Sequence, residues 1–236
     1  MFHNMFSEKS LEKAWDVFLH EIPGAVWDTV YATLLATLFA VLIGLPIGVL
    51  LVTGDVGGIR PLPRWLMKVL NIIINILRSV PFLILMILVI PLTRIIVGTS
   101  VGTMASVVPL VIAAFPFVAR LVESSLRELN PNMIEATQSM GASPFRIVTK
   151  VMIPESMPSL ISNLTIALTT ILSYTAMSGA VGGGGLGKIA ISYGYQRYNY
   201  LVMLIAVVLL VVLVEVFQGL GTFLSTKCDK RLKKRG

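Results

Sequence analysis

Apolar residues in this chain fall into long runs, with charged residues gathered where the runs end. No charge lies between Asp28 and Asp55. A helix needs about 20 apolar residues to cross a bilayer, so a first span is predicted at 29–53. Within it Pro46, flanked by Gly44 and Gly48, predicts a kink or a close helix contact. The uncharged stretch from Ser79 to Thr93 is too short to cross by itself. The second span is therefore predicted at 65–92, with Arg78 inside it. A third is predicted at 98–122, carrying Pro109 and Pro116, and a fourth at 156–182, rich in Thr, Ser and Gly. The fifth is predicted at 198–224 and carries one carboxylate, Glu215.

Ahead of the first span, Leu11, Trp15, Phe18, Leu19 and Ile22 follow helical spacing with charges between them. Two readings fit: an amphipathic helix at the outer membrane surface, or a helix packed against the spans. The first 28 residues hold Glu8, Glu12, Asp16, Glu21 and Asp28 and lack a basic start with an apolar core. They are not expected to be a signal peptide. The expected fold class is all-α integral membrane: an extracytoplasmic segment at 1–25, a transmembrane domain at 26–224 and a basic cytoplasmic tail at 225–236.

Composition agrees with the pattern. Hydrophobic residues make up 56%, charged residues only 13%, and mean hydropathy is +0.86; a soluble domain carries about 25% charge. The net charge of +7 raises nucleic acid as a ligand, but the basic residues sit at span ends, where the positive-inside rule accounts for them. No nucleic-acid partner is expected. Five spans put the termini on opposite sides. Arg60, Arg64, Lys68, Arg127, Arg146, Lys150, Lys227, Lys230, Arg231, Lys233, Lys234 and Arg235 fall on one side, against Lys9, Lys13, Arg94, Lys188 and Arg197 on the other. The N-terminus is therefore expected outside and the C-terminus in the cytoplasm. The single cysteine, Cys228, reads as a plain thiol.

Between the third and fourth spans lies a polar loop, 128–153, containing NPNMIEATQSMGASPFR. Asn130 is a good helix cap and Pro131 suits the first helical position. A helix is predicted to run to about Met140, with Gly141 taking the left-handed residue that closes it. Ser143 and Pro144 repeat the signal and predict a second short helix. An ordinary amphipathic loop is the competing reading. Ala136 is small enough to let another surface approach, with Glu135 and Gln138 beside it.

Glu135-Ala136, Gly141 six residues after the glutamate, and Ile153-Pro154 resemble the EAA loop of ABC importer permeases, here written EAT. The stretches RSVPFLILMILVIPLTRIIVGTS, PFVARLVE, GAVGGGGLG and YGYQRYN resemble the methionine branch of that family. The likeness runs from about Trp27 to Phe217. It implies that Glu135, Ala136, Ser139, Met140, Gly141, Ala142 and Pro144 couple the chain to an ATPase. It also implies a homodimer in the lipid of the bacterial cytoplasmic membrane, two ATP-binding subunits and an extracytoplasmic solute-binding lipoprotein. The implied cargo is L- and D-methionine; ATP and Mg belong to the partner ATPase, with no cofactor or metal on this chain. An importer of another amino acid is the nearer alternative, and a stand-alone secondary transporter or channel the more distant one. Against the latter, span four holds no Asp or Glu for ion coupling and no inverted repeat is visible.

Two further features need weighing. Gly182-Gly183-Gly184-Gly185-Leu186-Gly187-Lys188-Ile189 nearly matches a phosphate-binding loop, but Ile189 lacks the hydroxyl that would bind magnesium and no strand precedes the run. A glycine turn that ends span four and allows close packing is expected. The resemblance adds a gate hinge at Gly182, Gly183, Gly184 and Gly185. Polar residues within spans are costly and mark either pathways or helix-joining networks. Asn71, Asn75 and Arg78 share one helix face and fit both readings. Span four holds Thr165, Thr169, Thr170, Ser173, Tyr174, Met177 and Ser178. Core packing fits these; the resemblance assigns Ser173, Tyr174 and Met177 to the translocation pathway, with Met177 as a compliant plug. Glu215 is expected to pair with a basic neighbour.

Overall fold

A computed structural model describes residues 8–229. The tail residues Lys230, Arg231, Lys233, Lys234 and Arg235 lie outside that range. The regular structure of the described chain is all helical: α1 (Glu8–His20), α2 (Ile22–Thr53), α3 (Arg64–Ser79), α4 (Phe82–Leu88), α5 (Ile90–Val97), α6 (Thr103–Arg127), α7 (Pro131–Ser139), α8 (Pro144–Ile147), α9 (Ile153–Ser178), α10 (Gly185–Ile189) and α11 (Tyr200–Cys228). Wider π-helical turns at Val148–Met152 and Ala190–Tyr195 lead into α9 and out of α10.

Four described helical stretches are long and apolar enough to cross a membrane: Ile22–Thr53, Thr103–Arg127, Pro144–Val181 and Tyr200–Cys228. The pair Arg64–Ser79 and Phe82–Leu88 adds a fifth if taken as one broken span. The single helix expected over 65–92 is therefore three helices. Pro81 lacks an N–H and restrains the residue before it, which ends α3. Pro91 starts α5 in the same way.

The chain forms two compact units. The first gathers residues 8–38, 80–113 and 168–217. Its core joins Ala14 and Val17 of α1, Ile22 and Ala25 of α2, Leu186 and Ile189 of α10, and Val202 and Ala206 of α11. The helical spacing in α1 is right, but apart from Ile22, buried at the start of α2, the face that packs differs from the one the large residues mark. Ala14 and Val17 are buried, whereas Trp15 is 63% exposed and Leu11, Phe18 and Leu19 are exposed too. Small residues let α1 approach its neighbours closely, and its bulky stripe is left outward.

The second unit comprises residues 39–79, 114–167 and 218–229. Gly44 and Gly48 sit where α2 meets α6. A Cβ on Gly44 would lie 2.8 Å from the Phe115 carbonyl oxygen, and one on Gly48 would lie 2.6 Å from that of Ala119. This is the close contact expected of small residues four apart. Asn163 of α9 donates to Ser125 Oγ of α6 at 2.8 Å, and Ser225 of α11 donates to the Pro158 carbonyl at 2.8 Å. These bonds satisfy polar groups that bare hydrocarbon would leave unpaired.

Candidate functional site

The 128–153 loop is two short helices meeting at a glycine. Asn130 Oδ1 accepts from the Asn132 N–H at 3.0 Å, and Pro131 opens α7. The Met140 N–H donates to the Ala136 carbonyl at 3.2 Å and the Gly141 N–H to that of Gln138 at 2.8 Å. Gly141 has φ +77° and closes the helix. Ser143 makes no side-chain cap bond, so Pro144 starts α8 without it. Leu129, Ile147 and Met152 are buried and root the loop. Glu135, Ala136, Ser139, Met140, Gly141 and Pro144 are exposed and Ala142 is half-buried. Ser139 Oγ turns back to the Glu135 carbonyl at 2.9 Å. Met140, which caps α7, and Phe145 of α8 expose about three quarters of their surface. Phe145 escaped the sequence reading, though an aromatic in a polar loop was its signal.

Behind the loop lies a chain of charges. Arg127 of α6 donates to Asp55 Oδ2 at 2.8 Å and to Glu123 Oε1 at 3.0 Å. Arg120 donates to Glu123 Oε2 at 2.7 Å, to Asn71 Oδ1 at 2.7 Å and to Asn75 Oδ1 at 3.0 Å. The Arg127 guanidinium, helped by the Val56 N–H, holds the Asp55 carboxyl below its ordinary range. A cavity of about 470 Å³ opens beside this chain, lined by Asp55, Gly57, Arg127, Ile134, Glu135 and Gln138 among others. Asn71 and Asn75 thus belong to a network joining α3 to α6, while Arg78 is exposed. The spacing of Arg120, Glu123 and Arg127 on one helix face was the available signal.

On α9 the three pathway candidates lie near one another. Ser173 and Met177 are exposed, while Ile171, Leu172, Thr175 and Ser178 are buried. Ser173 Oγ donates to its own helix at Thr169. Tyr174 stacks on Phe82 of α4, with ring centroids 4.6 Å apart. Thr175 shares a hydrogen bond with Thr33 of α2 at 3.2 Å. The ion pair expected at Glu215 is not formed among the described residues, where Glu215 is exposed midway along α11.

The glycine run is held from several sides. The Gly102 N–H donates to the Gly182 carbonyl at 2.8 Å, and the Gly183 N–H to that of Ser178 at 2.9 Å. Buried Thr29 accepts from the Leu186 N–H at 2.8 Å and donates to the Ala25 carbonyl at 2.8 Å. A Cβ on Gly184 would collide with Thr103 Oγ1, which is itself bonded to Asp28 at 2.8 Å, and one on Gly185 with Thr29 Oγ1. Two amides that a phosphate would need are thus already donated, and the preceding element is a helix. A wide cavity of about 890 Å³ is lined by this run with Asp28, Lys188, Tyr193 and Arg197.

Comparison with known proteins matches residues 44–228 to the family described as binding-protein-dependent transport system inner membrane component. The chain is 48% identical to the probable D-methionine transport system permease protein MetI of Vibrio cholerae over 88% of its length and 92% of the relative's. It is 44% identical to the methionine import system permease protein MetP of Bacillus subtilis, over 98% and 100%. Its fold superposes on a chain of the MetNI methionine ABC transporter in an inward-facing conformation with a TM-score of 0.88 at 44% identity, covering 90% of this chain and 98% of that one. With an all-helical fold, four or five apolar spans and these likenesses along nearly its whole length, the chain belongs to the family of inner membrane components of binding-protein-dependent transport systems.

Proposed function

We propose that the chain is the membrane subunit of an ATP-driven importer that carries methionine across the bacterial cytoplasmic membrane. The observation that carries this reading is the 44% identity to a methionine import permease across 98% of the chain. The machine is a homodimer, because one such unit does not surround a solute path alone. It holds two ATP-binding subunits on the cytoplasmic side and receives cargo outside from a solute-binding lipoprotein. ATP and Mg are bound by those subunits, and hydrolysis takes place there. The N-terminus lies outside, with the exposed stripe of α1 at the membrane surface, and the C-terminus lies in the cytoplasm.

Within this cycle the chain's own residues have mechanical tasks. α7, exposed and capped, docks on the ATPase through Glu135, Ala136, Ser139 and the Met140–Pro144 bend. Closure of the ATPase pair moves the loop and opens the path outward; hydrolysis reverses the movement. Tyr174, Ser173 and Met177 line the path, and an exposed thioether fills a closed constriction without fixed shape. Gly182 to Gly185 form a pivot at the outer side. The test is ATP-dependent uptake of labelled methionine into vesicles holding the chain, its ATPase and its binding protein. An assembled complex that hydrolyses ATP but takes up another amino acid in preference would refute the cargo.

A further inference from the structure

We propose that Arg127 is a positioning residue that ties the movement of the 128–153 loop to the inner ends of α2 and α3; this rests on the reading of that loop as the ATPase contact. Arg127 lies on the last turn of α6, three residues before the Asn130 cap that begins α7. Its guanidinium reaches out of its own helix to Asp55, two residues beyond the end of α2. The turn that carries Asp55 is closed on itself. The Arg60 N–H donates to the Thr53 carbonyl at 3.0 Å and the Leu62 N–H to that of Gly54 at 2.9 Å. A pull on Asp55 therefore moves the end of α2 and the start of α3 together. The second arm of the network runs through Glu123 to Arg120 and on to Asn71 and Asn75 of α3.

The arms differ in shielding. The Glu123 and Arg120 side chains are 13% and 21% exposed, whereas Arg127 and Asp55 are 48% and 43% exposed. The Arg120–Glu123 pair is the better shielded of the two. The outer pair is open enough to be remade as the loop moves, and a planar guanidinium can keep two carboxylates in one geometry where an ammonium cannot. Helix α6 already packs on α2 at Gly44 and Gly48. The Arg127–Asp55 link adds a charged hold on the turn that follows α2, beside the loop.

Asp55→Ala, Arg127→Ala and the double variant test this in the full complex with ATPase and binding protein. Three quantities are read: co-purified ATPase, ATP hydrolysed and solute taken up. Each single variant should keep its ATPase yet lower uptake per ATP at least about threefold, and the double should be no worse than the poorer single, because contacting residues do not add. Arg127→Lys, which keeps the charge without the fork, should also lose coupling. Unchanged uptake per ATP in the singles, or losses that multiply in the double, would overturn the inference while leaving the docking role intact. Failure of the unmodified chain to hold an ATPase would overturn both.

Discussion

Phe82 and Tyr174 lie ring over ring, with centroids 4.6 Å apart and planes only 4° from parallel. Phe82 is buried, so the phenol is pinned against a fixed partner. Stacking of this kind adds about 0.5–1.5 kcal/mol beyond the area it hides. Tyr174 is therefore held in place by its partner, whereas Met177, one turn along, is 40% exposed.

Met177→Asp should lower methionine uptake at least tenfold while the complex still assembles, since a charge at a membrane constriction costs about 2.5–3.5 kcal/mol. Met177→Leu should keep most of the activity. Normal uptake by a well-expressed Met177→Asp variant, measured in vesicles, would return this residue to simple packing.

Gly141→Val should weaken ATPase association or uncouple hydrolysis from uptake. The left-handed backbone costs a side chain about 1–2 kcal/mol, and a Cβ there meets nothing within 4 Å. Gly141→Asn, which tolerates that backbone, should then be nearly silent. Ala136→Trp on the exposed face should hinder docking by overpacking at about 1–3 kcal/mol. ATPase co-purification with each variant decides the matter.

Lys188→Ala should leave ATP binding by the assembled complex unchanged, because Lys188 is exposed on a short helix whose Leu186 amide is donated to Thr29. By contrast Gly185→Ala should lower the melting temperature of the isolated chain. It adds a methyl group against Thr29 at a residue with φ +77°. Nucleotide binding that vanished in Lys188→Ala with assembly intact would revive the phosphate loop.

The Asp55–Arg127 pair gives a pH signature. Asp55 has a folded pKa depressed below 3.8, so its contribution is complete above that value and disappears as pH falls through the lower folded value. Both side chains are nearly half exposed, which limits the effect to about 1 kcal/mol or less. The gap in melting temperature between the unmodified chain and Asp55→Asn, measured at low salt, should be present at pH 7 and shrink as pH falls below 3.8.

Orientation can be checked with reporters. One fused after Arg235 should be cytoplasmic and one inserted at Lys9 external, as the uneven placement of Lys and Arg requires. Both on the same side would mean an even number of crossings.

The sequence spoke clearly where signals are local. Asn130, Pro131 and Gly141 define α7 from within a dozen residues, and Gly44 with Gly48 announced a close contact that the fold contains. It was less clear where two local rules compete. Pro81 breaks the second apolar run, yet length alone asked for one helix there. In α1 the bulky residues drew attention, while Ala14 and Val17 made the contacts. Partners distant in sequence left no mark: Thr29 meets the Leu186 amide across 157 residues and Thr33 meets Thr175 across 142. A threonine in a membrane helix looks the same whether or not such a partner exists.

The bonds from Arg120 to Asn71 and Asn75 also set an order of events during synthesis. When α3 leaves the ribosome, its two side-chain amides have no donor from α6, because Arg120 lies 45 to 49 residues further on. A segment carrying Asn71, Asn75 and Arg78 and interrupted at Pro81 is a poor candidate for release into lipid by itself. The bonds that tie its Asn71 and Asn75 to Arg120 are made only once α6 has been synthesised.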